Sequence, residues 1–182
     1  MKLIKRFFIP LIIIILIIIL AKICITIVYP FKYRNIVEEN AEKYNLDPYL
    51  VAAVIKTESS FAADARSHKN AVGLMQITEE TALDIAKEMK IKDYDPSILK
   101  DPESNIAIGC WYLKDLKGEF NDDIDLVLAA YNGGRGNVQK WLKDNRYSKD
   151  GRTLDYIPFA ETDKYVKKVK VNFKIYKFIY GK

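Results

Sequence analysis

The sequence predicts a mainly α-helical domain behind an N-terminal transmembrane helix. Three observations predict it. Phe7 to Val28 is a run of 22 residues interrupted only by Pro10, Lys22 and Thr26, which as a helix spans about 33 Å against a bilayer core of about 30 Å. Beyond it, an aspartate followed by proline recurs at Asp47-Pro48 and Asp101-Pro102, the pairing of an N-cap with a residue whose fixed φ suits the first helical position. From Pro30 to Lys182 there is no Gly/Ser linker, low-complexity tract or internal repeat, so residues 1–29 are read as the anchor and 30–182 as a single domain.

Taken in order, Lys2, Lys5 and Arg6 precede the apolar run, and the positive-inside tendency keeps that end in the cytoplasm and places the body on the extracytoplasmic side of the cell membrane. No small-x-small cleavage site follows the run, which favours an uncleaved single-pass anchor over a removed signal peptide. Lys22 reaches the outer interface by snorkelling. Tyr33 to Tyr44 reads as the first helix of the body, and Asp47-Pro48 opens the next, through Val51, Val54, Ile55 and Glu58. Phe61 to Gln76, with Asp64, Asn70 and Gly73, reads as an irregular loop or short hairpin. Thr78 caps a helix from Glu79 to Lys90, Asp101-Pro102 precedes one over Asn105 to Lys117, and Asp122 to Tyr131 forms another, stopped by Gly133-Gly134. A further helix carries Val138, Trp141 and Leu142, and the last runs from Glu161 to Tyr180.

The chain carries 29 Lys and Arg against 24 Asp and Glu, a formal +5. Without residues 1–28 the balance is 25 against 24, so the basicity belongs largely to the leader and no nucleic-acid partner is expected. Two cysteines and one histidine, His68, leave no disulfide framework, no zinc ligand set and no Ser-His-Asp triad, and neither metal nor cofactor is expected. The final helix and the two residues after it concentrate seven lysines with no acid after Asp163. This stretch reads as a solvated face on a helix packed through Val166, Val169, Phe173 and Tyr176, in preference to a surface for anionic lipids or wall polymers. Cys110, Trp111 and Trp141 read as packing residues.

Glu58 ends an apolar helix, a position where a carboxyl group is half enclosed by core while facing a cleft. Desolvation there raises its pKa and lets it deliver a proton near neutrality. Alone, it reads better as an exposed helix-end glutamate, because a helix C-terminus is a mildly poor place for a carboxylate. Its company is more specific: Glu58-Ser59-Ser60-Phe61, Gly73-Leu74-Met75-Gln76-Ile77, Asn105 to Gly109 leading to Trp111-Tyr112-Leu113, Ala129-Ala130-Tyr131-Asn132-Gly133-Gly134, and Ile157-Pro158-Phe159 with Glu161-Thr162 and Tyr165-Val166. In order and spacing these five blocks resemble the lytic transglycosylase domain of the soluble-lytic-transglycosylase type, related to goose-type lysozyme, over about Tyr33 to Tyr180.

The resemblance implies a lysozyme-like helical fold that cleaves the β-1,4 bond between N-acetylmuramic acid and N-acetylglucosamine in peptidoglycan glycan strands. It implies Glu58 as the sole catalytic acid/base. Ser67 would hydrogen-bond near the muramoyl N-acetyl group, Gln76 would line the same cleft, Tyr131 would contact the N-acetyl group of the reacting sugar, and Glu161 would be a second acidic contact without a proton-transfer role. On the residues alone, Ser67 equally satisfies a turn, Gln76 caps loop amides and Tyr131 is a core aromatic. The family pattern Tyr-Asn-Ala-Gly-Pro-Gly is replaced by Tyr131-Asn132-Gly133-Gly134-Arg135-Gly136, which loosens a turn and adds a charge that could meet a wall carboxylate or phosphate. Thr78 stands where the family often has Met.

Glycosidases commonly use two carboxyls about 5 to 9.5 Å apart, and no clear second one is visible. Substrate assistance supplies the missing nucleophile: the N-acetyl oxygen attacks the anomeric carbon as Glu58 protonates the leaving oxygen, then Glu58 removes the 6-hydroxyl proton and a 1,6-anhydro end forms without water. The alternatives are a muramidase on the same fold, with water replacing the 6-hydroxyl, and a noncatalytic peptidoglycan-binding module. No residue identifies a protein partner.

Overall fold

The computed structural model describes residues 2–181, with side chains from residue 10 onward; Lys182 and the side chains of Lys2, Lys5 and Arg6 lie outside the described residues. The chain divides into two units, Met1–Lys32 and Tyr33–Lys182. The first contains a single helix, α1, Lys2–Val28, whose segment Pro10–Val28 is long and apolar enough to cross a membrane.

The second unit is helical throughout, and among the described residues β-structure is limited to the isolated bridges Arg66–Val72 and Val72–Ile77. Its helices are α2 Arg34–Lys43, α3 Pro48–Glu58, α4 Glu79–Glu88, a 3₁₀ turn Pro96–Lys100, α5 Pro102–Glu119, α6 Ile124–Gly133, α7 Arg135–Leu142 and α8 Ala160–Tyr180. Each aspartate-proline pair does what its chemistry dictates. Asp47 accepts from the Tyr49 amide and Asp101 from the Ser104 amide, with Pro48 and Pro102 opening α3 and α5. Thr78 caps α4 through the Thr81 amide. Two starts differ from the sequence reading. Asp123, not Asp122, caps α6, because Asp122 takes a left-handed φ of 62°, and Asp95 with Pro96 makes a further cap that opens the 3₁₀ turn.

Helix α3 is apolar around most of its circumference, and Val51 to Ile55 have no exposed surface, as expected of a central helix. It packs chiefly on α8. Asn172 of α8 donates to the Thr57 hydroxyl at 2.9 Å, and that hydroxyl donates to the Ala53 carbonyl at 2.8 Å. The buried aromatics Phe61 and Tyr176 meet with ring centroids 6.2 Å apart, each such side chain contributing about 1.5–3 kcal/mol by burial.

The loop between α3 and α4 is fixed from α5. Asn105, 1% exposed, donates to the carbonyls of Val72 and Leu99 at 3.0 and 2.9 Å and accepts the Met75 amide at 2.8 Å. Two glycines permit this approach. A Cβ on Gly73, at φ 81°, would stand 2.3 Å from the Asn105 amide nitrogen, and one on Gly109 would stand 2.3 Å from the Met75 sulfur.

Candidate active site

Glu58 is the last residue of α3, and its turn is clamped from two directions. Thr57 is held by Asn172 of α8. Ser59, the C-cap, donates through its hydroxyl to the Leu74 carbonyl at 2.8 Å and accepts the Phe61 amide at 3.2 Å. Ser60 and Phe61 follow in left-handed conformations, which turn the chain sharply away and leave the carboxyl half-buried among helix ends.

Burial raises the Glu58 pKa to about 7. The Tyr165 hydroxyl and the Lys168 charge pull the other way, and the nearby Glu161 charge adds to the rise. Tyr165 is 8% exposed. Its hydroxyl acts on the Glu58 carboxyl without completing a hydrogen bond of ordinary geometry, and has no other partner among the described residues. Tyr131 approaches from α6, near enough for the Glu58 charge to act on its hydroxyl, which burial holds well above the ordinary tyrosine pKa. Glu58 thus ends at the meeting of α3, α6 and α8, with two buried phenols beside it.

Tyr131 donates to the Met75 carbonyl at 2.8 Å, and its ring lies 5.3 Å from that of Tyr112. Together with Gln76, Thr78, Thr81, Asn132 and Gly134 these tyrosines line a cavity of about 280 Å³. Glu58 is not in that lining; Tyr131 is, and it lies near enough to the carboxyl to feel its charge. A larger hollow of about 510 Å³ lies over Thr81, Trp111, Tyr112 and Gly134 toward α4, and the two share Thr81, Tyr112 and Gly134 in their walls.

The remaining sequence-derived residues fall at different distances from this centre. Gln76 lines the smaller cavity at a left-handed φ of 48°, but its side-chain amide donates to the carbonyls of Ala65 and Gly73 at 3.1 and 2.9 Å. Ser67 closes a turn, its hydroxyl accepting the amides of Lys69 and Ala71 at 3.2 and 3.1 Å. Glu161 is exposed at the start of α8 and pairs with Lys69 of the loop at 3.8 Å. Arg135 lines the larger hollow while held by carboxylates. It forms ion pairs with Asp115 and, at 3.1 Å, with Glu119 of α5, and its guanidinium lies 5.5 Å from the centre of the Tyr112 ring. Trp141 is buried edge-on against Phe159, whereas Trp111 is only half-buried and lines the larger hollow, with Lys114 5.9 Å above its ring. Cys110 is sealed in α5, and burial pushes its thiol pKa up to about 12.

Tyr165 and Lys168 received no role from the sequence. The signal available was spacing: Glu161, Tyr165 and Lys168 stand at i, i+4 and i+7 of one helix and share a face. Thr162 was also passed over. It donates to Asn132 at 2.9 Å and so joins the start of α8 to the end of α6, beside the tyrosine that meets Glu58.

The family model described as the transglycosylase SLT domain matches residues 35–154. The chain is 32% identical over 155 residues to the soluble lytic murein transglycosylase of Escherichia coli strain K12, covering 84% of this chain and 24% of that protein. It is 39% identical over 124 residues to the membrane-bound lytic murein transglycosylase C of Yersinia enterocolitica, covering 63% and 35%. The crystal structure of an inactive glutamate-to-glutamine mutant of the lytic transglycosylase Slt from Pseudomonas aeruginosa superposes with a TM-score of 0.73 at 33% identity, over 82% of this chain and 24% of that one. The chain therefore spans about a quarter to a third of the length of these relatives.

Proposed function

The chain belongs to the transglycosylase SLT domain family, and from that premise we propose that it is a membrane-anchored peptidoglycan lytic transglycosylase in which Glu58 acts first as acid and then as base. The single observation that carries the reading is the Glu58 carboxyl, raised by burial to about 7 between Tyr131 and Tyr165. A carboxyl at its ordinary value would be almost wholly ionised at neutral pH and unable to protonate a leaving oxygen. The relatives' names, lytic murein transglycosylases of soluble and membrane-bound kinds, support the substrate and the anchor, and α1 supports the anchor independently.

Protonated Glu58 delivers its proton to the oxygen bridging N-acetylmuramic acid to N-acetylglucosamine. The N-acetyl oxygen of the muramoyl unit attacks the anomeric carbon as that bond breaks. Glu58, now a carboxylate, is stabilised by the Tyr165 hydroxyl and the Lys168 charge, the two influences that favour its ionised form. It then takes the proton of the muramoyl 6-hydroxyl, whose oxygen displaces the N-acetyl oxygen at the anomeric carbon. The products are a 1,6-anhydro end and a free 4-hydroxyl, with Glu58 protonated again and no water consumed. Tyr131, anchored on Met75, and Gln76, anchored on its own loop, form a wall that is fixed before the sugar arrives, which limits the reorganisation needed during reaction. In this reading Ser67 and Glu161 bound the same cleft, Ser67 by shaping its loop and Glu161 from its exposed rim.

Digestion of purified peptidoglycan followed by mass analysis of the muropeptides tests the proposal. Ends one water lighter than reducing ends are expected. Reducing ends alone would make the protein a muramidase, and no new ends, with wall material retained, would make it a binding module.

A further inference from the structure

Helix α8 carries two surfaces of opposite character. One is buried through Tyr165, Val169, Asn172 and Tyr176. On the other, Val171 is 55% and Phe178 is 87% exposed. These two stand seven residues apart, two helical turns, and so lie on one face. Lys167, which pairs with Asp163 one turn before it at 2.7 Å, and Lys174 fall on the same face, and no acid follows Asp163. A phenylalanine this exposed on a lysine-rich face differs from a merely solvated helix, because it leaves an apolar stripe bordered by cations.

The fold also fixes which end of the domain this stripe occupies. The Tyr180 carbonyl, at the end of α8, accepts the Tyr49 hydroxyl at 2.9 Å, and Lys177 pairs with Asp47 at 3.6 Å. Tyr180 and Arg34, the first residue of α2, are close enough to act on each other electrostatically. The C-terminal turns of α8 therefore share an end with the first residue of the domain. Whatever the arrangement of the two units, only Tyr29 to Tyr33 separate the end of α1 from Arg34, a reach of at most about 20 Å.

We propose that the outward face of the C-terminal half of α8 is a membrane-contact surface, with Phe178 and Val171 entering the headgroup layer of an anionic bilayer and Lys167 and Lys174 meeting its phosphates. The proposal rests on α1 lodging in that membrane. Tethering makes the encounter intramolecular, so a small apolar stripe suffices where it would not hold a free protein. The contact orients the domain on its short tether and sets the direction in which the cavity walled by Tyr131 faces.

The test uses the full chain in vesicles of about one-third phosphatidylglycerol in phosphatidylcholine, with the Phe178→Trp chain compared with its parent so that Trp111 and Trp141 subtract. Phe178 is exposed enough for the change to leave the fold intact. The added tryptophan is expected to be quenched at least about twofold by lipids brominated near the headgroup, and the charge reversals Lys167→Glu and Lys174→Glu together are expected to remove most of that quenching. A chain that co-floats with vesicles but shows no such quenching overturns the proposal while leaving the anchor standing. Shielding by a second copy, detected by cross-linking without bromolipid quenching, overturns it as well, and so does shielding that appears only on adding an anionic wall polymer. A chain that does not co-float removes the anchor and, with it, this inference.

Discussion

The Tyr131 hydroxyl donates to the Met75 carbonyl at 2.8 Å, while the Met75 amide donates to Asn105 at the same distance. One loop residue thus connects the tyrosine beside Glu58 to a buried amide of α5, and the loop that carries Gln76 is held between them.

Asn105→Ala removes three hydrogen bonds from a site 1% exposed and leaves the Met75 amide and the Leu99 carbonyl without that partner, while the Val72 carbonyl keeps the Ile77 amide. Each such group costs about 1–3 kcal/mol. A loss of about 3 kcal/mol in urea unfolding is expected, with a fall in activity in the fraction that remains folded. Unchanged stability would mean that the loop is held by other contacts.

Gly109→Ala tests the close approach of α5 to the same loop. A methyl group would stand 2.3 Å from the Met75 sulfur, so the loop must move. A stability loss of about 1–3 kcal/mol is expected, and Met75→Ala in the same chain should recover part of it.

Tyr165→Phe removes one of the influences that lowers the Glu58 pKa. The pKa should rise and the alkaline limb of kcat/KM should move to higher pH, while turnover falls because the carboxylate formed in the first step loses its donor. The fold should be spared, since the hydroxyl gives up no other hydrogen bond. An unshifted pH profile would separate Tyr165 from the chemistry.

The pH dependence of stability follows from the same carboxyl. The pKa of Glu58 is raised in the folded protein to about 7 from 4.5, so the folded state holds the proton more tightly than the unfolded chain. The protonated group's contribution is fully present below about 4.5 and is lost as pH rises through about 7. At one unit per 1.4 kcal/mol the span is on the order of 3 kcal/mol. Glu58→Gln, which cannot ionise, should gain on the parent by up to that amount between pH 5 and 8 in chemical unfolding while losing cleavage activity. Equal pH dependence of the two proteins would place the carboxylate in water.

Arg135→Ala should act on stability and hardly on cleavage, because the guanidinium is committed to Asp115 and Glu119. Being half-exposed, these pairs are worth about 1 kcal/mol. A large rise in KM for wall fragments would show instead that Arg135 meets the substrate.

Much of this architecture was legible locally. Asp47-Pro48 and Asp101-Pro102 announce their helices because capping needs only neighbouring residues, and the apolar run before Tyr29 is long enough to announce α1 by itself. Gly73 and Gln76 could be placed in an irregular loop, but not the reason for the glycine, which lies 32 residues away in Asn105. The same limit applies to Tyr165 and Arg135. A buried phenol facing a carboxyl on another helix, and a half-exposed ion pair made across two helices, are products of packing that no local pattern records. Phe173 and Phe178 show the converse. Both were apolar letters on a lysine-rich helix, yet Phe173 is half-buried under Lys177 and Phe178 stands in solvent, because the helix offers the core only one side.

The account rests on where one carboxyl holds its proton. Carbon-13 NMR of the protein labelled at glutamate carboxyls, compared with the Glu58→Gln variant to assign the resonance, measures it directly. A resonance titrating with a midpoint near 7 is predicted, and a midpoint close to the ordinary glutamate value of about 4.3 would contradict the proposed acid.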